Sequence, residues 1–93
     1  MNVEKMIIDE CEKVKNMLLE KNRQYGNSAL EPIRVFSKAN ATEQLKVRID
    51  DKLSRIFSNQ SDDTEDAVFD LCGYLILLQV RKQLDKVEDR CPC

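Results

Sequence analysis

AVFDLCGYLILLQV, the stretch from Ala67 to Val80, decides the fold, because twelve of its fourteen positions are apolar or glycine. A helix that is apolar on nearly every side is expected to be buried on nearly every side. The exceptions are Gln79 and Asp70, and a buried lone carboxylate is costly unless it is paired, protonated or bound to a cation. Asp66 lies one turn earlier on the same stripe. We therefore expect a cation to meet Asp70.

Length and composition restrict the possible functions. The chain has 93 residues, enough for one domain spanning 1–93. Its net charge of −2 argues against a general nucleic-acid binder. The absence of histidine excludes histidine-based acid–base catalysis and zinc sites with imidazole ligands. No apolar run reaches the roughly 18 residues of a membrane span, and the acidic start MNVEKMIIDE lacks the features of a signal peptide. We expect a cytoplasmic protein with no membrane partner.

Helical periodicity in every apolar segment, with no alternating run, predicts an all-α fold. The first helix is predicted from about Val3 to Lys21 and the second, capped by Asn40, from about Thr42 to Phe57. A short helix is predicted after Pro32. Asp62 or Asp63 is expected to cap the last helix, which continues past Val80 and stops before Pro92.

The last helix has more apolar circumference than two partner helices of its own chain can cover. We therefore expect a small bundle of three main helices and one short helix that is completed by formation of a homo-oligomer, a dimer or larger. Candidates for the shared interface are Leu75, Leu78 and Val80.

Glu10 and the cysteines allow two interpretations each. Glu10 lies inside the apolar stripe of the first helix, either as an edge residue paired with a lysine or as a carboxylate in the pocket of Asp70. Cys11 and Cys72 fall in helical apolar patterns, where a free thiol usually acts as a small hydrophobe. The C-terminal tail with Cys91 and Cys93 is either reduced or a soft-metal or oxidation site.

Two groups of basic residues elsewhere in the sequence could face the acidic pair Asp66 and Asp70. Arg48, Lys52 and Arg55 follow one border of the apolar face of the second helix, and Lys21, Arg23 and Tyr25 precede the turn at Gly26. Carboxylates that hold Mg²⁺, with arginine and lysine on the phosphates, would form a magnesium–phosphate site. A buried salt bridge from Asp70 to Lys52 or Arg55 fits the same spacing.

Three blocks of the sequence resemble a known family: KNRQYG (Lys21–Gly26), RIDDKLSRI (Arg48–Ile56) and TEDAVFDLCGYLIL (Thr64–Leu77). They are similar to the nucleotide-modification-associated domain of phages and bacteria, a small relative of the MazG-like all-α nucleoside triphosphate pyrophosphatases. The resemblance implies an oligomeric, all-helical protein that acts on nucleotides with Mg²⁺ in a bacterial or phage-infected cytoplasm.

The resemblance also implies roles for individual residues. The catalytic and metal-binding set would be Asp51, Asp66 and Asp70, with Asp50 beside Asp51. The substrate-binding set would be Lys21, Arg23, Tyr25, Arg48, Lys52 and Arg55.

The chain departs from the MazG-like pattern of E-x-x-E on one helix and E-x-x-D on the next. Arg48, Asp51, Lys52 and Arg55 occupy the helix face of the first motif, and the second is present only as Asp66 with Asp70, or as Glu65 with Asp70. Three hypotheses follow. The chain is an Mg²⁺-dependent pyrophosphohydrolase of (d)NTPs, a nucleotide-binding or sequestering protein without turnover, or a helical oligomerisation module without a ligand.

Overall fold

A computed structural model of the protein describes residues 2–27, 30, 39–58 and 66–90, with side chains up to residue 87. These residues form three α-helices: α1 (Val3–Tyr25), α2 (Ala41–Ser58) and α3 (Ala67–Arg90). No strand occurs among them, so the all-α prediction with three main helices is confirmed. The predicted helix after Pro32 and the tail cysteines lie outside the described residues.

Side-chain caps set the beginnings of the helices. The Asn2 side chain accepts a hydrogen bond from the Lys5 amide (3.2 Å) at the start of α1. As predicted, Asn40 caps α2, since its Oδ1 accepts from the Glu43 amide at 2.8 Å. Asp66 caps α3 through its Oδ1, which accepts from the Phe69 amide at 3.0 Å. The cap of α3 is therefore Asp66, whereas Asp62 and Asp63, which were predicted for this role, lie outside the described residues.

The end of α1 lies one turn beyond the predicted Lys21. No helix-breaking residue occurs before Gly26, and the pair of Arg23 with Glu20 (2.5 Å) links neighbouring turns of the extension. Gly26 has a φ of 63°, the positive value that glycine adopts at least cost, and the helix ends there as predicted. Arg23 and Tyr25, which precede the turn at Gly26, therefore lie on the last turn of α1.

α3 is the central helix, because α2 and α1 both pack against it and do not contact each other in the described part of the chain. Gly73 lets α1 approach closely: a Cβ at this position would lie 2.9 Å from Cε of Met17 and 3.3 Å from Cδ2 of Leu18. The apolar residues that are fully buried are Val14, Ala41, Leu45 and Ala67. Two helices on one side of α3 leave a groove between them and leave its other side uncovered.

The uncovered side of α3 differs from the expectation of burial all round. Val68, Leu75, Ile76 and Val87 are exposed, and α1 and α2 are the only other helices among the described residues that could cover α3. Of the residues predicted for a shared interface, Leu75 is exposed, whereas Leu78 and Val80 are half-buried.

The first half of α1 is exposed as well. Val3, Met6 and Ile7 belong to the same apolar stripe as the buried Val14 but have no helix against them among the described residues. Cys11 and Cys72 are exposed, so neither is packed as a small hydrophobe within the single chain. Along the described residues, no helix combines the length and the apolarity needed to cross a bilayer.

Candidate functional site

A cleft of about 230 Å³ lies between the C-terminal end of α1, the middle of α2 and the first half of α3. It exists because α1 and α2 pack on α3 without contacting each other. Its apolar lining includes Met17, Leu18, Gly73 and Leu77. Its polar and aromatic lining includes Lys21, Asn22, Tyr25, Asn27, Arg48, Asp70 and Tyr74. The cleft therefore joins an apolar wall to a set of charged and aromatic groups.

Four residues predicted for the site meet in this cleft: Lys21, Tyr25, Arg48 and Asp70. Lys21 comes from α1 and Arg48 from α2, so the two cations lie on opposite sides of the groove. Both are exposed, and neither has an ion-pair partner among the described residues. The cleft thus presents two positive charges that the described part of the chain does not neutralise.

Asp70 meets Lys52, which confirms that a cation faces this carboxylate. Nζ of Lys52 lies 3.4 Å from Oδ2 of Asp70, and the side chains are 13% and 28% exposed. The sequence left Lys52 and Arg55 as equal alternatives. Arg55 instead pairs with Asp51 along α2, with Nε 3.2 Å from Oδ2. Lys52 is therefore the partner that holds Asp70 at the edge of the cleft.

The described carboxylates do not fit a shared Mg²⁺ site. Asp51 pairs with Arg55, Asp66 caps α3 and Asp70 pairs with Lys52. Among the residues that the structure describes, no three or more acidic or cysteine side chains group together in a way that could hold a metal. Asp51 and Asp66 do not line the cleft. Mg²⁺ binding by these residues stays a prediction for which the described chain offers no assembled ligand set.

Two further residues are placed outside the cleft. Glu10 pairs with Lys13 at 2.9 Å, and both side chains are exposed, which agrees with the interpretation of Glu10 as an edge residue. Hydrogen bonding to Glu10 is the main reason that the pKa of Lys13 is raised above its usual 10.5. Arg23 pairs with Glu20 on α1 and does not line the cleft.

Arg81 is a buried residue that the sequence analysis did not assign to the site. Its Nη1 donates to the carbonyl oxygen of Leu30 at 3.1 Å, and its Nε donates to Oδ1 of Asp85 at 3.0 Å. Asp85 in turn lies 3.5 Å from the hydroxyl of Thr42 at the start of α2. Since Leu30 lines the cleft, Arg81 holds one of its walls against α3. The signal was available, because Arg81 lies on the helical stripe of Asp70 and four residues before an acid.

Tyr74 was also missed, because its place within an apolar run resembles that of any core residue. It lies one turn after Asp70 and lines the cleft with Tyr25.

Compared with known protein families, curated proteins and solved structures, the chain matches none.

Proposed function

We propose that the chain binds a mononucleotide-type ligand, with an aromatic base and an anionic phosphate group, in the cleft between α1, α2 and α3. The observation that carries the proposal is that Lys21 and Arg48 lie on opposite sides of one cleft. Neither has an ion-pair partner among the described residues. Of the three hypotheses from the sequence, this is nucleotide binding without a requirement for turnover.

The phosphate end of the ligand is matched by the two cations. Arg48 can contact phosphate oxygens through two parallel N–H groups, and Lys21 adds a point charge. Because Lys52 already neutralises Asp70, the excess charge of the cleft is positive. This balance favours ligands with more than one negative charge.

The base end is matched by Tyr25 and Tyr74 together with Leu18 and Leu77. Tyr25 is 68% exposed, so much of its ring is available for stacking. The volume of about 230 Å³ lies below the range of roughly 300–1,000 Å³ that is common for small-molecule sites. A single base with its sugar, rather than a dinucleotide or a polymer, is therefore the ligand of matching size.

Hydrolysis of (d)NTPs with Mg²⁺ remains the expectation that comes from the family resemblance. It is not the function that the geometry favours, because Asp70 is the only described carboxylate lining the cleft and Lys52 occupies it. A protein that binds nucleotides would act in the cytoplasm of a bacterial or infected cell, as the resemblance also implies.

The test is a titration with inorganic phosphate, a nucleoside and its mono-, di- and triphosphates, with and without Mg²⁺. Affinity by calorimetry should rise with the number of phosphates. Lys21→Gln and Arg48→Gln should each weaken binding about tenfold or more, since a hydrogen bond to a charged group contributes roughly 1.5–3 kcal/mol. Arg23→Gln is the matched control, because it removes a charge from the same stretch of α1 outside the cleft.

Two outcomes would overturn the proposal: no phosphorylated nucleotide binds, or both cleft variants bind as tightly as the unaltered chain. Release of pyrophosphate in Mg²⁺ would favour the hydrolase over the binder.

A further inference from the structure

Asp70 has a hydrogen-bonding capacity that its ion pair does not use. Lys52 faces its Oδ2, whereas its Oδ1 accepts no hydrogen bond from any described residue. The side chain is half-buried and lines the cleft, so a ligand that fills the cleft displaces water from this oxygen. Because a desolvated acceptor without a donor is costly, the ligand should supply a donor in return.

Asp70 lies beside one of the two aromatic rings that are assigned to the base. Asp70 and Tyr74 are four residues apart on α3, and Asn22 and Tyr25 are three residues apart on α1. Both spacings place the two side chains on the same helix face, with Cβ atoms about 5–6 Å apart. All four residues line the cleft. A base that stacks on either ring therefore brings its edge close to a hydrogen-bonding side chain.

Asn22 has an unused hydrogen-bonding side chain as well. Its amide has no partner among the described residues, and no cap or turn of the described chain uses it. Asparagine also forms helices less well than alanine or leucine, so this residue does not serve the stability of α1. The amide offers both a donor and an acceptor to the cleft.

The two polar side chains match only some base edges. With Lys21 and Arg48 assigned to the phosphates, Asp70 and Asn22 remain for the base. The carboxylate of Asp70 can only accept, so it needs an amino group opposite it. A base with a carbonyl oxygen at the same position would place two acceptors against each other.

We propose that the cleft selects nucleotides whose base carries an amino group beside an unprotonated ring nitrogen, as adenine and cytosine do. Oδ1 of Asp70 accepts from the amino group, and Nδ2 of Asn22 donates to the ring nitrogen. Lys52 keeps Asp70 charged, which strengthens the first of these hydrogen bonds. This inference rests on the proposed function, because the cations must hold the phosphates and thereby leave Asp70 and Asn22 to the base.

The test on the unaltered chain is calorimetric titration, without Mg²⁺, with two matched pairs of ligands. Cytidine triphosphate is compared with uridine triphosphate, and adenosine triphosphate with inosine triphosphate. Each pair shares its sugar, its phosphates and its ring size. The amino member should bind at least about fivefold more tightly, the lower end of the discrimination that a two-bond contact with a base edge provides. The pyrimidinone nucleotide, which has hydrogen in place of the amino group, should bind with intermediate affinity.

Two variants assign this preference to residues. Asp70→Asn should bring the ratio of cytidine to uridine affinity close to one, because an amide can also donate to a carbonyl oxygen. Asn22→Asp should lower the ratio at least threefold, since a carboxylate repels the ring nitrogen of cytosine and accepts from the ring N–H of uracil. Asp50→Asn and Asn16→Asp are the matched controls, because both residues are exposed on the same helices as Arg48 and Asn22 but outside the cleft. Both controls should keep the ratio.

The possible failures are distinguishable. If no phosphorylated nucleotide binds, the proposed function fails and this inference fails with it. If affinity rises with the number of phosphates but the members of each pair bind equally, only the base selectivity is overturned. A ratio that Asp70→Asn leaves unchanged would also overturn it. The comparison of ligands on the unaltered chain does not depend on whether a variant folds.

Discussion

Replacing Asp70 with asparagine separates the ion pair seen in the structure from a role as metal ligand. Asparagine keeps the shape of the side chain and removes the charge that faces Lys52 at 3.4 Å. If Asp70 is a metal ligand without a protein partner, the protein should lose little stability on this change, because a buried charge disappears. If Asp70 is one member of an ion pair, the protein should lose stability.

The size of the loss follows from the distance and the exposure of the pair. Two unit charges at 3.4 Å attract by about 5 kcal/mol at an effective dielectric constant of about 20, before desolvation is subtracted. Exposed pairs contribute roughly 0–1 kcal/mol, and breaking a fully buried pair costs roughly 3–5 kcal/mol. At 13% and 28% exposure the pair lies between these limits, and Lys52 has a further interaction. We expect Asp70→Asn to cost about 1–2 kcal/mol.

Urea unfolding at fixed protein concentration measures this cost, and a double-mutant cycle with Lys52→Met isolates the pair. The melting temperature should fall by about 5–10 °C. Asp50→Asn is the matched control, since Asp50 is an exposed acid on α2 with no ion-pair partner among the described residues. It should change stability by less than about 0.5 kcal/mol. A coupling energy near zero between Asp70 and Lys52 would refute the ion pair.

Asp70→Asn should change nucleotide affinity in opposite directions under the two functions, phosphate binding by the cations and Mg²⁺ binding by Asp70. If the cleft binds nucleotide phosphates through Lys21 and Arg48, Asp70→Asn removes a negative charge from the lining of the cleft and should tighten binding about threefold to tenfold without Mg²⁺. If Asp70 holds Mg²⁺, affinity or turnover in Mg²⁺ should fall sharply, because an amide is a poor ligand for a hard cation. Weaker binding of nucleotide without Mg²⁺ would contradict the proposed function.

Two further predictions concern residues that position the helices. Asp66→Ala should destabilise the protein by about 1 kcal/mol in urea unfolding, whereas Asp66→Asn should not, since asparagine caps equally well through the Phe69 amide. A loss with both variants would contradict the capping role. Arg81→Met should cost about 2 kcal/mol and also weaken nucleotide binding, because Leu30 and Asp85 lose their donor. Arg81→Lys should recover part of both losses, and unchanged nucleotide affinity in Arg81→Met would exclude a positioning role.

The helices were predictable because their signals are local. Periodic apolar residues define α1 and α2, and Asn40 and Gly26 cap or end helices through groups within a few residues. The carboxylate–cation contact of Asp70 was also predictable, because an apolar helix cannot leave a charge unmatched. These features need only the chemistry of one helix.

The ion-pair partner of Asp70 was not predictable, because it depends on how α2 and α3 are placed against each other. Spacing along α2 fits Lys52 and Arg55 equally, and the structure assigns Lys52 to Asp70 while Arg55 pairs with Asp51. The capping role of Asp66 was not predicted either, since the sequence offered Asp62 or Asp63 for the cap and an acid at the start of a helix suits a metal as well as a cap. Tyr74 joins the cleft only because α1 and α2 stand apart on α3.

α3 is apolar around nearly its whole circumference, but its two sides differ in burial. Its inner side carries Asp70, Gly73, Leu77 and Arg81, which seat α1, α2 and the wall of the cleft within one chain. Its other side, with Val68, Leu75 and Ile76, is exposed in the single chain. A helix that packs on one side only would need only one apolar stripe. Because the described part of the chain covers one side of the stretch from Ala67 to Val80, the second apolar side is the reason to expect a homo-oligomer.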